Sequence, residues 1–401
     1  MPLDTIYLTR HGHRLNWTID YRTGTYHAQF PTPTGNPADP TLTSHGVRQS
    51  HELAAHLASD SFRPKPFRIY CSPFYRCLQT IQPSVEALKE LQQRTYPEDR
   101  SSATTATAAA ASESDIEPLA DLDVRIENGL GEWFGHTTFF EHPQPAPRTI
   151  LSTHFPTLLP LPSPVDIPSP SPSSSSSTTT TNTTVNPPAT TTQTATRTTT
   201  TTTTTPHLLP SPTGETISHL HNRVATTLAA IIRDVDAEIA ALEAAQPPHE
   251  PRTRKALLIC SHAAPLIAMG RALTGHMPAD PNTEDFLVFT AGLSTFRRRA
   301  AAAAATSNEE SEESLALAPG TKVLRPGTEV PNWRGGKGVA GGWDCVRNGD
   351  CGFLSQGAER GWHFNGEEGF DTGPMAAEEA RPTSSLDTTV ADGGIGRGMK
   401  L

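Results

Sequence analysis

Residues that could bind a phosphate and react with it lie close together near the start of the chain. Arg10, His11 and Gly12 directly follow an apolar, β-prone run at 6–9, and Arg14 comes two residues later. Guanidinium groups offer planar pairs of N–H donors to phosphate oxygens, and an imidazole can attack phosphorus or carry protons. Glycine allows the backbone to approach a ligand closely. The pattern predicts a phosphate site at a strand end, with a basic turn after a buried strand as the plainer alternative.

Two more basic or nucleophilic residues follow strand-like runs elsewhere in the chain. Arg76 comes shortly after an apolar run at 67–72, at the start of a predicted helix whose N-terminus adds positive potential. His262 follows the apolar run 256–260, as His11 follows the opening run. Ligands of open α/β folds bind at the carboxyl ends of strands, so this recurrence favours one shared site over isolated structural residues.

A carboxylate for acid–base chemistry is offered by the segment 124–135. Glu127 and Glu132 lie there in a glycine-rich loop that also contains aromatic residues. A carboxyl group so placed can act as a general acid, although most loop carboxylates are simply solvated. Because the same chain also contains a predicted phosphate-binding turn, a role as general acid is favoured over simple solvation.

The elements that must position these residues alternate between strands and helices. Strands are expected at 6–9, 67–72, 256–260 and 287–298, and helices at 43–58, 73–91 and 217–242. Such alternation predicts an α/β fold with right-handed crossovers and a mostly parallel sheet. Pro83 is expected to kink or break its helix, and 21–39 is expected to be a long loop.

Composition limits the ordered part of the chain. Of the 401 residues only 35% are hydrophobic and 37 are prolines, which leaves a core of roughly 200–250 residues, enough for one α/β domain. Segments 101–115 and 160–206 are rich in Ser, Thr, Ala or Pro and are predicted to be disordered insertions. The domain is therefore expected to span 1–298. The net charge of −10 argues against a general nucleic-acid-binding surface.

Cysteine usage and hydropathy indicate a protein of the cytoplasm or nucleus. The five cysteines form no convincing disulfide framework, and Cys345, Cys351 and His363 are a poor candidate metal site. No signal peptide or bilayer-spanning run is expected, so no membrane partner is predicted.

The region 299–401 is predicted to be a mostly disordered tail with one exception. Segment 343–364 combines aromatic and apolar residues in otherwise polar surroundings. It is interpreted either as a docking segment for a protein partner or as a strap packed on the parent domain.

Taken together, six sequence blocks resemble the histidine phosphatase superfamily, which has the phosphoglycerate mutase-like fold. The blocks are RHG at 10–12, LTSHGVRQ at 42–49, SPFYRCLQT at 72–80, ENGLGEW at 127–133, GET at 214–216 and SHAAP at 261–265. The resemblance covers 5–150 and 210–298 and implies a three-layer α/β/α architecture.

The resemblance also implies roles for individual residues and requires no metal or other cofactor. His11 is similar to the nucleophile that forms a phosphohistidine, and His262 to the second histidine that donates to the phosphoryl oxygens. Glu127 is similar to the general acid and is preferred to Glu132. The arginines that match the phosphate clamp are Arg10, Arg76 and, in some branches, Arg14.

Two departures from the family pattern affect the expected function. Ala263 replaces the usual glycine after the second histidine, and His13 replaces the acidic residue typical of mutases. The second change argues against a phosphoglycerate mutase proper. The region where family members place their substrate-selecting cap is mostly Ser, Thr and Pro, so substrate selection is not predicted.

Two functions follow. The leading hypothesis is a phosphomonoester hydrolase that acts through a phosphohistidine on a phosphorylated small molecule or phosphoprotein. The alternative is an assembly subunit built on this fold, because several blocks and the segment 343–364 resemble the branch containing the small tau subunit of fungal TFIIIC, an RNA polymerase III transcription factor. In that hypothesis the C-terminal segment docks on the partner.

Overall fold

The computed structural model describes residues 2–96, 116–160, 206–247, 252–300 and 320–364, apart from 326 and 329. The segment predicted to be disordered at 101–115 lies outside the described residues, as do the predicted segment 160–206 apart from its two end residues and the tail beyond 364.

Eight strands and five helices are described. The strands are β1 Thr5–Arg10, β2 Trp17–Asp20, β3 Thr25–Ala28, β4 Pro66–Cys71, β5 Val124–Ile126, β6 Ala256–Ser261, β7 Leu293–Arg298 and β8 Trp343–Asp350. The helices are α1 Ser44–Ala58, α2 Tyr75–Thr95, α3 Arg148–His154, α4 Ile217–Ala245 and α5 Ala263–Thr274. Short 3₁₀ turns cover Asn128–Leu130 and Val339–Gly341.

The central sheet has six strands in the order β5-β4-β6-β1-β7-β8. The pairs β1–β6, β4–β6 and β4–β5 are parallel, whereas β7 runs antiparallel to β1 and β8 antiparallel to β7. Strands β1, β4 and β6 are buried at every position, as expected for parallel strands covered by helices on both faces. Helix α1 packs on α2, and α4 packs on α5. The predicted fold class, a mostly parallel sheet with flanking helices, is confirmed.

Helix α2 is continuous through Pro83, so the predicted break is wrong. Its buried face carries Ile81 and Val85 on either side of the proline, and both have no exposed surface. Packing of an amphipathic face supplies most helical stability in proteins, and here it outweighs the loss of one backbone hydrogen bond.

The predicted loop at 21–39 begins with a hairpin strand. Strands β2 and β3 pair from Trp17 opposite Ala28 to Asp20 opposite Thr25. Trp17 is buried and lies 5.3 Å from the ring of Tyr26, which makes this small sheet part of the packed structure. The polar, proline-rich composition around it gives no alternating pattern from which a strand could be predicted.

The expected domain end at 298 is too early, because β7 is followed by another sheet strand. Strand β8 pairs along β7, and Trp343 at its start is completely buried. Further along, Leu354, Trp362 and Phe364 are also buried against the domain. Of the two interpretations of 343–364, the strap packed on its own domain is the one observed. No helix among the described residues is both long and apolar enough to cross a bilayer.

Candidate active site

The predicted site residues converge where parallel strands end. Arg10 closes β1 opposite Ser261, the last residue of β6, and the N–H of His11 donates to the carbonyl of Ser261 at 3.0 Å. His11 and His262 therefore leave neighbouring strands side by side, with ring centroids 5.4 Å apart. Arg76 reaches the same place from the first turn of α2, after β4.

His11 is held as a neutral imidazole with one ring nitrogen available. Its Nδ1 lies 2.9 Å from the carbonyl oxygen of Gly12, so Nδ1 carries the proton and donates it. Nε2 is buried and makes no hydrogen bond within the described part of the chain. Burial, followed by the charges of Arg76 and Arg10, lowers the pKa of His11 well below its usual value. A buried lone pair on Nε2 is what a nucleophile requires.

Arg76 is completely buried and is fixed by two carboxylates. Its Nη1 donates to Asp39 Oδ1 at 3.1 Å and to the carbonyl of Ala38 at 3.0 Å, and its Nη2 donates to Glu132 Oε2 at 3.0 Å. Asp39 also accepts the backbone N–H of Tyr75 at 2.6 Å, which caps α2. A buried charge needs such partners. Asp39 was not predicted, since nothing in its proline-rich surroundings distinguishes it.

Arg10 and Arg14 add positive charge to the same pocket. Arg10 Nη1 donates to the backbone carbonyl of Arg360 at 2.6 Å, and Arg14 Nη1 donates to the carbonyl of Leu15 at 3.0 Å. Burial lowers the pKa of Arg10 to about 10. Burial, and next the charge of Arg76, lower the pKa of Arg14 well below its usual value. Buried guanidinium groups that repel one another in this way attract an anion strongly, because an anion between them relieves the repulsion.

His262 is the second imidazole of the pocket. Its Nε2 lies 2.8 Å from the hydroxyl of Ser72, and its Nδ1 lies 3.1 Å from Glu132 Oε2. Burial disfavours a charge on this ring, but its neighbours Cys77 and Glu132 outweigh burial and raise the pKa of His262. An imidazolium with both N–H groups directed at acceptors can donate to anionic oxygens. Ser72 and Cys77 were not singled out from the sequence, although both lie in the block around Arg76.

The two glutamates predicted as acid candidates are placed differently. Glu127 caps the turn after β5: its carboxylate accepts the backbone N–H groups of Gly129 and His207, each at 2.9 Å, and that of Leu208 at 3.4 Å. Among the described residues it makes no hydrogen bond to a pocket side chain. Glu132 instead contacts Arg76 and His262. Burial would raise the pKa of Glu132, but His262 and Arg76 outweigh it and hold that pKa far below the usual carboxyl range.

The loop that carries Glu132 is fixed by a buried ion pair that was not predicted. Arg223 of α4 binds Glu215 with Nε and Nη2 at 2.8 Å each. The same guanidinium donates through Nη1 to the carbonyls of Gly129 at 2.7 Å and Gly131 at 3.2 Å. Two long-range bonds from one side chain, itself fixed by Glu215, thus hold the backbone just before Glu132.

The cluster also has the spacing of a metal site, but its charge favours an anion. Ligand atoms of His11, Glu132 and His262 all lie within 4.8 Å of one another. Three buried arginines border this cluster: Arg10, Arg14 and Arg76. Their charges repel a cation at short range. The arrangement can bind a phosphate between cationic donors and present a nucleophilic nitrogen to it.

Residues 6–100 match the sequence profile of the histidine phosphatase superfamily (branch 1). This match agrees with the resemblance found from the motifs, and it covers the turn after β1 together with Arg76. Glu127, Glu132 and His262 lie beyond the matched residues.

A curated relative matches along almost the whole chain. The transcription factor tau 55 kDa subunit of Saccharomyces cerevisiae is 24% identical over 392 residues, which is 96% of this chain and 64% of the relative. The chain therefore spans about two thirds of the length of that relative.

Solved phosphatase structures share low similarity with the chain. The ecdysone phosphate phosphatase of Bombyx mori is 15% identical, covers 73% of this chain and 88% of its own, and has a TM-score of 0.39. A mycobacterial glucosyl-3-phosphoglycerate phosphatase is 16% identical over 73% of this chain and 90% of its own, with a TM-score of 0.30. Values this low say nothing about a shared substrate.

Proposed function

We propose that the pocket hydrolyses phosphomonoesters through a phosphohistidine formed on His11. The observation that carries the proposal is the state of His11: a neutral ring, its tautomer fixed by Gly12, with Nε2 unbonded among three buried arginines. Charged donors already in place stabilise the negative charge of a phosphoryl group in transfer.

In the first step His11 Nε2 attacks phosphorus. An N–P bond forms while the P–O bond to the leaving alcohol breaks, and the alcohol oxygen takes a proton. Glu132 is the group of the pocket that can supply it. A bound dianion draws on the charges of Arg76 and His262 and opposes the ionised carboxylate, so the pKa of Glu132 rises on binding and the carboxylate takes up a proton from solvent. The acid assigned from the family resemblance, Glu127, remains the competing prediction.

In the second step water attacks the phosphohistidine. The water gives a proton to the Glu132 carboxylate and the N–P bond breaks, which frees His11. As inorganic phosphate leaves, the cations again favour the ionised carboxylate, and Glu132 releases that proton to solvent. His262 and the arginines keep contact with the phosphoryl oxygens throughout, which lowers the barrier of both steps.

The test is hydrolysis of p-nitrophenyl phosphate by the purified full chain and by His11→Ala. The variant should lose at least about a thousandfold in turnover, since the nucleophile is gone. His13→Ala is the matched control because His13 follows the same turn but bonds to Thr43 at 2.9 Å, and it should retain most activity. Labelled substrate should leave an acid-labile phosphoenzyme in the wild type only. A folded wild type without hydrolysis, or an active His11→Ala, contradicts the proposal.

A second function is supported by the similarity to the yeast subunit. That match extends over 96% of this chain, so it includes the tail as well as the pocket. We propose on this basis that the chain also serves as a subunit of a nuclear transcription-factor complex, with a protein partner.

This second function is tested by purifying the tagged full chain from its own cells and identifying what is bound. Stoichiometric recovery of other subunits of an RNA polymerase III transcription factor, equally with wild type and His11→Ala, would support it. Recovery of the chain alone, with a nuclear pool absent, would refute it.

A further inference from the structure

The segment 355–364, here named the C-terminal strap, crosses the mouth of the phosphate pocket. It follows β8 and begins on α1, where the N–H of Ser355 donates to Glu52 at 3.2 Å. It then passes the end of β1 and ends at Trp133, the residue after Glu132. The strap therefore touches both the clamp and the loop that carries the carboxylate.

Glu359 fixes the middle of the strap. Its Oε2 accepts from Gln49 Nε2 at 2.9 Å and pairs with the ring of His45, both on α1. Its backbone carbonyl accepts the N–H of Thr290 at 3.1 Å. One residue is thus bonded to the elements on both sides of the pocket.

Arg360, the next residue of the strap, occupies a guanidinium of the pocket that would also bind a phosphate. Arg10 Nη1 donates to the carbonyl oxygen of Arg360 at 2.6 Å, a distance typical of a strong charge-assisted bond. Arg360 has a φ of 48°, a backbone conformation that residues with a Cβ rarely adopt. The closed strap is therefore held in place against local strain, as is common at switch regions and ligand clamps.

Aromatic packing holds the end of the strap. The rings of Trp362 and Phe364 lie 6.4 and 5.5 Å from the ring of Trp133, and Phe364 lies under the guanidinium of Arg271 at 5.5 Å. The N–H of Trp133 donates to Glu132 Oε1 at 2.9 Å, so the end of the strap packs on the residue that orients this carboxylate.

With the strap in this position, the reacting groups of the pocket are almost completely covered by the described part of the chain. The exposed fraction is at most 5% for Arg10, His11, Arg14, Arg76, Glu132 and His262. We infer that the strap is an autoinhibitory element: the Arg360 carbonyl and a substrate phosphate compete for Arg10, and opening the strap admits the substrate. This inference rests on the proposed function, since it assumes that the pocket binds phosphate.

The test compares two substitutions of the exposed Arg360 in the full chain. Arg360→Gly and Arg360→Ala remove the same charge, but glycine adopts positive φ without strain and should favour the closed strap. Arg360→Gly should bind inorganic phosphate about fivefold more weakly than Arg360→Ala, the factor given by the roughly 1 kcal/mol strain that glycine relieves. Binding is measured by calorimetry, and turnover of p-nitrophenyl phosphate should fall in parallel.

A second variant opens the strap from its far end. Phe364→Ala removes a neutral anchor and should tighten phosphate binding and raise turnover several-fold, with Val346→Ala on β8, whose side chain is half exposed, as the unchanged control. Equal affinity of the two Arg360 variants, or weaker binding in Phe364→Ala, overturns the inference. Phosphate binding is measured without turnover, so the two proposals can fail separately. If the variants change phosphate affinity but no hydrolysis is detected, the proposed phosphatase activity is refuted, whereas competition between the strap and phosphate is retained.

Discussion

Among the individual residues, Glu132 is the carboxylate that the structure places in contact with two cations of the pocket. It lies between Arg76 and His262, and both partners favour its ionised form. An ionised carboxylate cannot protonate a leaving group, so the proposed mechanism requires that a bound phosphate take over the two cations before Glu132 can act as the acid. Glu127, with its oxygens bonded to backbone N–H groups, has a structural role that is complete without a ligand.

The two glutamates are distinguished by the leaving group. Glu132→Gln should slow hydrolysis of glycerol phosphate by about a hundredfold but affect p-nitrophenyl phosphate much less, because nitrophenolate leaves without a proton. Glu127→Gln should instead lower the free energy of unfolding by about 1–3 kcal/mol, since a buried N–H loses its acceptor. Steady-state kinetics on both esters measure the effect of each variant on turnover, and thermal melts measure its effect on stability. A selective defect in Glu127→Gln would establish Glu127 as the acid.

At the level of elements, the turn after β1 is shaped by direct backbone contact with α1. Thr43 caps α1 by accepting the N–H of Gly46 at 3.1 Å, and the N–H of Thr43 donates to the carbonyl of His13 at 2.9 Å. A Cβ on Gly46 would lie 2.0 Å from that carbonyl oxygen, and one on Gly12 would lie 2.9 Å from the carbonyl oxygen of Gly46. Both glycines are therefore required by close approach.

Gly46→Ala should displace the turn that carries His11. The clash is with backbone, which cannot rotate away, so we expect a loss of about 1–3 kcal/mol in the free energy of unfolding and a severe loss of turnover. Circular dichroism melts and p-nitrophenyl phosphate kinetics measure the two effects. His51→Ala, exposed on the same helix, should change neither. An alanine variant with wild-type melting would show that the turn does not depend on this contact.

Over the whole molecule, the sheet is completed by residues far beyond the last predicted strand. Strand β8 covers the edge of β7, and the segment before it buries Trp333, which is 1% exposed. Trp343 is fully buried and lies 4.8 Å from the guanidinium of Arg298 at the end of β7. The described part of the tail, 320–364, therefore contributes to the hydrophobic core.

Truncation separates the predicted domain end from the observed one. A chain ending at 364 retains every strand and helix that the structure describes and serves as the reference. A chain ending at 300 loses β8 and three buried tryptophans, Trp333, Trp343 and Trp362. Loss of one buried tryptophan side chain typically costs about 3–5 kcal/mol, so this chain should be unfolded or aggregated. Thermal melts and size-exclusion chromatography test this. A soluble 1–300 chain with an unchanged melting temperature would show that the domain ends at 298, as predicted from the sequence.

The sequence by itself determined the central strands, the long helices and the strand-end position of His11 and His262. These features are encoded locally: an unbroken apolar run identifies a buried parallel strand, a 3.6-residue period identifies a helix, and strand order then brings the carboxyl ends together. Arg10 and Arg76 follow from the same logic, because each lies at or just after a strand end.

Only the tertiary structure decided which carboxylate meets the two cations and what closes the pocket. Glu127 and Glu132 are five residues apart in one loop, and the Arg223 bonds that orient this loop come from a helix about ninety residues later. Arg10 and Arg360 are separated by 350 residues. Contacts over such distances leave no periodic trace in the sequence, because they depend on chain reversals and packing that local patterns do not specify.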